Sequence, residues 1–251
     1  ILVPLANPNT AEHLLRLAVQ LAQANGGEVL ALQVTVVPET MPLETGRRQA
    51  KTSQMLLEHA LDLVYQEHLP IRTITRAART VPQGILETAV EEETDLIIMG
   101  WRDPARGRIT SLGSITDAVL RDAPCEVIVI HGEHVCPLKR ILVPTAGGPH
   151  AEAAARLAVT LSNTCDTEIT FVYVQTKPLT PDQLESAKQR ILERLEALDL
   201  NIPPSLKIVS AGSVVEGIIS EAQGHDFVLI GVSEETLLDK VVFGSIPLQV
   251  M

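Results

Sequence analysis

Two short stretches of this chain combine residue types that hold anions. Gly100-Trp101-Arg102-Asp103 is followed after nine residues by Gly113-Ser114, and Gly231-Val232-Ser233-Glu234 is followed at the same spacing by Gly244-Ser245. A glycine leaving a strand lets backbone approach a ligand closely. A helix starting at the Gly-Ser pair would aim unpaired N–H groups and its positive dipole end at a phosphate. Around the first stretch stand Arg102, Arg106, Gly107 and Arg108, and guanidinium forks match phosphate oxygens. The second stretch offers Glu234, Glu235 and Asp239 against Lys240. An anionic ligand is therefore expected at the first stretch only, with the second degenerate. The competing reading of the arginines is a solvated surface loop.

Other candidate groups point to less. His131, His134 and Cys136 lie close in sequence, but their spacing matches no closed zinc site, and a polar linker accounts for them, so no metal is expected. Cys125, which precedes an apolar strand, reads as a small buried hydrophobe. Ser114 is placed at a helix N-cap, with an ordinary structural task for its hydroxyl. No Ser-His-Asp or Cys-His set falls on strand ends, so no enzymatic activity is expected. Trp101 has two readings, a contact with a partner or second domain, or a ring packed over the neighbouring helix.

These stretches must be carried by a repeated unit. ILVPLANPNTAEHLLRLAVQL from Ile1 aligns without gaps with ILVPTAGGPHAEAAARLAVTL from Ile141, and TDLIIMG ending at Gly100 matches HDFVLIG ending at Gly231. Within the first copy, ILVPL is a short strand stopped by Asn-Pro-Asn. Leu14, Leu17, Ala18 and Leu21 form a helical stripe, repeated in phase by Ala154, Leu157, Ala158 and Leu161. Asn25-Gly26-Gly27 ends the first helix as a left-handed cap. A strand EVLALQVTVV, a helix carrying Leu57, Leu61 and Val64, and a strand IRTITRA follow. Then come a helix from Val81 through Glu91, a buried strand DLIIMG, a helix from Gly113-Ser114 and a strand in PCEVIVI.

Strands alternating with helices, several of them continuously apolar, predict an α/β fold of two tandem doubly wound parallel five-stranded sheets. Ligands in such sheets bind beyond the carboxyl ends of the strands. The domains are expected at 1–135 and 136–251, with His131–Arg140 as linker. The second copy stops six residues after Ser245 and is predicted to lack its last helix and strand, leaving an unpaired sheet edge. A start at Ile1 inside a strand predicts an excised piece of a longer protein.

Composition narrows the partners. The 251 residues are 45% hydrophobic but only 2% aromatic, so the cores must be aliphatic, and single-stranded nucleic acid would find few stacking platforms. A net charge of −11 repels both a phosphodiester backbone and an anionic membrane surface. No apolar run approaches the roughly 18–20 residues that span a bilayer. Cys125, Cys136 and Cys165 form no CxxC pair, which fits a reducing, cytoplasmic compartment.

The ILVP strand, the DLIIMG strand end and the Gly-x2-Gly-x9-Gly-Ser/Thr frame together resemble the universal stress protein family, twice over nearly the whole chain. The resemblance implies a Rossmann-like fold of the adenine nucleotide alpha hydrolase kind. It implies phosphate contacts of ATP or AMP for Gly100, Gly113 and Ser114, and more weakly for Gly231, Gly244 and Ser245. The middle glycine of the frame is Asp103 in one copy and Glu234 in the other, and the acidic residue expected after the first strand is Ala6 and Ala146. A carboxylate within about 5 Å of a phosphate costs from tenths of a kcal/mol to a few. ILVPLANP, GWRD and DAPCEVIVI further resemble the tandem stress domains attached behind amino acid permeases or cation antiporters. That likeness implies a regulatory, homodimeric tail tethered through an upstream transporter. A stand-alone tandem stress protein and a ligand-free dimerisation module are the alternatives.

Overall fold

A computed structural model describes residues 1–43, 71–101, 112–131, 139–146, 148–164, 167–198 and 205–231. The chain divides into two compact units, Ile1–Cys136 and Pro137–Met251.

In the first unit the elements are β1 (Leu2–Pro4), α1 (Pro8–Asn25), β2 (Val29–Val36), β3 (Ile71–Ala78), α2 (Val81–Glu91), β4 (Leu96–Trp101), α3 (Ser114–Asp122) and β5 (Glu126–His131). All strands run parallel in the order β3-β2-β1-β4-β5. The order reverses between β1 and β4, so a crevice opens beyond their carboxyl ends. Alternation sorts the side chains. Leu2, Leu30, Leu32, Ile97 and Met99 meet Ile85 and Ala89 of α2 and Val119 of α3 on one face. The stripe on α1 is buried, Leu14, Leu17, Ala18 and Leu21 each at 4% exposure or less. Gly26, at φ +66, supplies the left-handed turn that ends this helix.

The second unit repeats the plan with β6 (Arg140–Pro144), α4 (Pro149–Thr164), β7 (Glu168–Gln175), α5 (Pro181–Glu196), β8 (Ser205–Ser210), α6 (Val214–Ala222) and β9 (Phe227–Val228). Its parallel sheet has four strands among the described residues, in the order β8-β7-β6-β9. The expected loss of its last helix and strand falls on residues 232–251, outside the described residues, as does the helix expected around Leu57, Leu61 and Val64. Its core joins Leu142, Val172 and Ile218 to Val174, Val209 and Val228. Start signals are satisfied in both units. Thr80 accepts from the Gln83 N–H, Ser213 from the Glu216 N–H, and Thr180 with Gln183 forms a reciprocal capping box.

Both units also share a close approach that the hydrophobic pattern does not reveal. A Cβ added at Gly84 of α2 would lie 2.6 Å from Val34 Cγ1, and one at Gly217 of α6 would lie 2.5 Å from Val174 Cγ1. Helix and sheet meet there because the side chain is a hydrogen.

The edge strand β3 is covered by charge. Arg76 donates to both Glu87 and Glu91, at 3.0 Å and 2.6 Å, and Arg72 pairs with Glu92. Hydrogen bonds from these guanidinium groups hold the Glu91 and Glu92 carboxyls below their ordinary range. A carboxylate with a lowered folded pKa stabilises above its unfolded value, and that support is lost as pH falls through the folded value. The Arg72→Ala/Arg76→Ala double variant should therefore melt lower than the parent at neutral pH and converge with it as pH falls through the folded values of the two carboxyls. An unchanging gap in melting temperature across that titration would refute the linkage.

Candidate functional site

The sheet's carboxyl edge in the first unit brings together three exits, those of β1, β2 and β4. Leu5 ties the exit of β1 to the sheet through its N–H to Leu32 O at 2.8 Å, and Ala6 behind it is exposed. Gly100 lies at the exit of β4 and is exposed. A Cβ there would make only ordinary contact, 3.4 Å from Leu14 Cδ1 and 4.0 Å from Thr10 Oγ1. The next described element along the chain is α3, beginning at Ser114.

That helix start differs from the sequence-based expectation in one respect. The N-cap is Gly113, not Ser114, and no side chain caps it. Gly113 sits at φ +97, a left-handed backbone that disfavours any side chain, which is why glycine holds the place. Ser114 is thus the first helical residue, with an exposed side chain. Asp117 fixes the turn, its carboxylate accepting from the Leu112 N–H at 3.1 Å while its own N–H reaches Gly113 O at 2.9 Å. The first N–H groups of α3 have no carbonyl within their own helix, so they can serve an anion.

Of the residues singled out in the sequence, Gly100, Gly113, Ser114 and Gly231 are therefore located. Arg102, Asp103, Arg106, Gly107 and Arg108, and in the second unit Gly244 and Ser245, lie outside the described residues, as do His134, Cys136 and Cys165. Trp101 makes a ring contact that neither of its two readings names. Its ring is 6% exposed and packs against the His131 ring of β5, with centroids 4.6 Å apart. Cys125 is partly buried beside the core, with Sγ 3.6 Å from Thr94 Oγ1. Among the described residues, no group of three His, Cys, Asp or Glu side chains converges, and no helix is long and apolar enough to cross a membrane.

The second unit's counterpart is built differently. Ala146, like Ala6, is exposed at the exit of its first strand. Gly231, however, is pressed against the first turn of α4. A Cβ there would stand 1.9 Å from His150 O, 2.4 Å from its carbonyl carbon and 3.1 Å from Ala151 N. Backbone fills the gap that side chains border at Gly100.

One contact at the same sheet edge is not legible in the sequence. Arg79, between β3 and α2, donates from Nη1 to Val37 O at 3.2 Å, to Pro38 O and to Met41 O at 2.9 Å, closing the turn that leaves β2. The available signal was internal, because the second copy has Gly212 in the same place ahead of its N-cap.

Comparison with known proteins fits this duplicated architecture. The model of the universal stress protein family matches residues 1–131 and again 137–251. The chain belongs to the universal stress protein family. Among its relatives, the Na(+)/H(+) antiporter NhaS5 of Synechocystis is 24% identical over 233 residues, covering 92% of this chain and 33% of that protein. The universal stress protein Rv2623 of Mycobacterium tuberculosis is 29% identical over 142 residues, covering 53% of this chain and 48% of that protein. The chain thus spans a third to a half of the length of these curated relatives. A universal stress protein from Archaeoglobus fulgidus shares the fold with a TM-score of 0.65 at 18% identity, over 91% of this chain and 85% of that one.

Proposed function

We propose that this chain is a non-catalytic sensing module of tandem universal stress domains, in which only the first unit binds the phosphates of an adenine nucleotide, ATP or AMP. Gly100, Gly113 and Ser114 supply the backbone and hydroxyl contacts, and Arg102, Arg106 and Arg108 supply cationic donors from the intervening segment. The observation that carries this reading is the contrast between the two strand-end glycines. Gly100 is exposed and bordered by side chains, whereas Gly231 lies against the backbone of α4. Unit two is then a structural companion.

The module serves as the cytoplasmic tail of a membrane transporter in the same protein, reporting nucleotide level to it. What supports this placement is the alignment of 92% of this chain with one third of a Na(+)/H(+) antiporter. The exposed Ala6 and Ala146 favour a second reading, a ligand-free dimerisation module, since neither side chain offers a hydrogen bond to a nucleoside.

Calorimetric titration of the whole chain separates the two. One equivalent of ATP or AMP per chain is expected, with affinity falling as salt rises, because exposed charges are screened within about 10 Å at 0.1 M salt. Two equivalents would overturn the asymmetry, and none would leave the dimerisation module.

A further inference from the structure

We propose that Arg79 is a positioning residue for the ligand crevice of the first unit, holding the exit of β2 in its binding-ready shape. The proposal rests on the nucleotide reading above and names the residue that shapes one wall of that site.

The turn that leaves β2 points three carbonyl oxygens, those of Val37, Pro38 and Met41, towards one point, and Arg79 Nη1 occupies it. Carbonyl dipoles converging in this way oppose one another unless a donor, best a charged one, satisfies them. The turn is held elsewhere as well. The Val37 N–H donates to Ala78 O at 2.9 Å, the Met41 N–H donates to Pro38 O at 3.0 Å, and Gln83 Oε1 accepts from the Arg79 N–H at 3.3 Å. One guanidinium thus joins the exit of β2 to the start of α2.

Its location gives the clamp a role. In a parallel sheet the exits of neighbouring strands share one edge. β2 is hydrogen-bonded to β1, the strand on one side of the crevice. The 37–41 turn is therefore the next piece of chain along the binding edge. A wall already fixed when the ligand arrives spares the ordering cost of binding.

Internal comparison supports function over simple fold stability. Thr80 and Ser213 cap equivalent helices, and the residue ahead of each is Arg79 in one unit and Gly212 in the other. The second unit folds with glycine there, and the Gly212 N–H donates to Glu216 Oε2 at 3.1 Å. Helix and sheet thus assemble without the arginine. The clamp is found in the unit whose strand-end glycine is exposed and is absent from the unit whose counterpart is closed by backbone.

The test titrates ATP calorimetrically into the whole chain as wild type, Arg79→Ala and Arg79→Lys, with hydrogen exchange followed at Val37–Met41. Arg79→Ala should lose amide protection in that turn and bind ATP about tenfold more weakly, with little change in melting temperature. Arg79→Lys, which keeps the charge and fewer donors, should fall between the two. Millimolar guanidinium chloride should restore ATP affinity to the alanine variant and leave the wild type unchanged. Wild-type affinity in Arg79→Ala would overturn the proposal while leaving the nucleotide reading intact. Should the alanine variant fail to fold, wild-type affinity in Arg79→Lys despite a loosened turn would overturn it equally. A wild-type chain that binds no ATP would overturn both.

Discussion

Gly231→Ala should destabilise the second unit by about 3 kcal/mol, whereas Gly100→Ala should change the first by less than about 1 kcal/mol. The two glycines hold matching places in the repeat, so propensity and topology predict equal effects. Their surroundings predict otherwise. A methyl group at 231 would stand 1.9 Å from a carbonyl oxygen in the first turn of α4, so backbone rather than a flexible side-chain end would have to shift. At 100 the nearest atom is the end of the Leu14 side chain, 3.4 Å away, which needs no backbone movement. Urea unfolding of both variants measures the difference, and similar losses would remove the structural basis for treating the units as unequal. The same pair bears on binding. Gly100→Ala should fold and yet weaken nucleotide binding, because on the proposed reading glycine there lets backbone approach the phosphate closely.

Gly84→Ala and Gly217→Ala should each cost about 1–3 kcal/mol, reversing the gain of about 1 kcal/mol that alanine normally brings to a helix interior. The reversal comes from contacts across the helix–sheet interface. The added carbon would lie 2.6 Å from Val34 Cγ1 in one unit and 2.5 Å from Val174 Cγ1 in the other. Pairing the second change with Val174→Ala opens the space again, so the double variant should lose less than the sum of its parts. Denaturant midpoints for the four members of that cycle would show the coupling. Strict additivity would mean that helix α6 simply shifts to make room.

These glycines also show what the sequence could and could not reveal. Elements defined by near-neighbour pattern were legible, from the buried stripe on α1 to the helix Val81–Glu91, whose signals are local. So was the duplication, and with it the parallel α/β architecture. What escaped was decided between residues far apart in the chain. Arg79 looks like one more surface arginine until the fold brings it to Val37, forty-two positions earlier. Gly84 and Gly217 look like weak points in helices until the sheet arrives beneath them. The sequence favours Ser114 as the cap because serine is the commoner cap, while the positive φ at Gly113 demands glycine. Nothing local in the sequence shows that β5 sets His131 beside Trp101.

The claim on which the account turns is a single anion site per chain, at the carboxyl edge of the first sheet. Amide chemical shifts of the isotope-labelled whole chain, followed while ATP is added, test it residue by residue. Saturable shifts at Gly100, Gly113 and Ser114, with Gly231 and His150 unmoved, are the predicted result. Shifts at Gly231 equal to those at Gly100, or none at the start of α3, would contradict it.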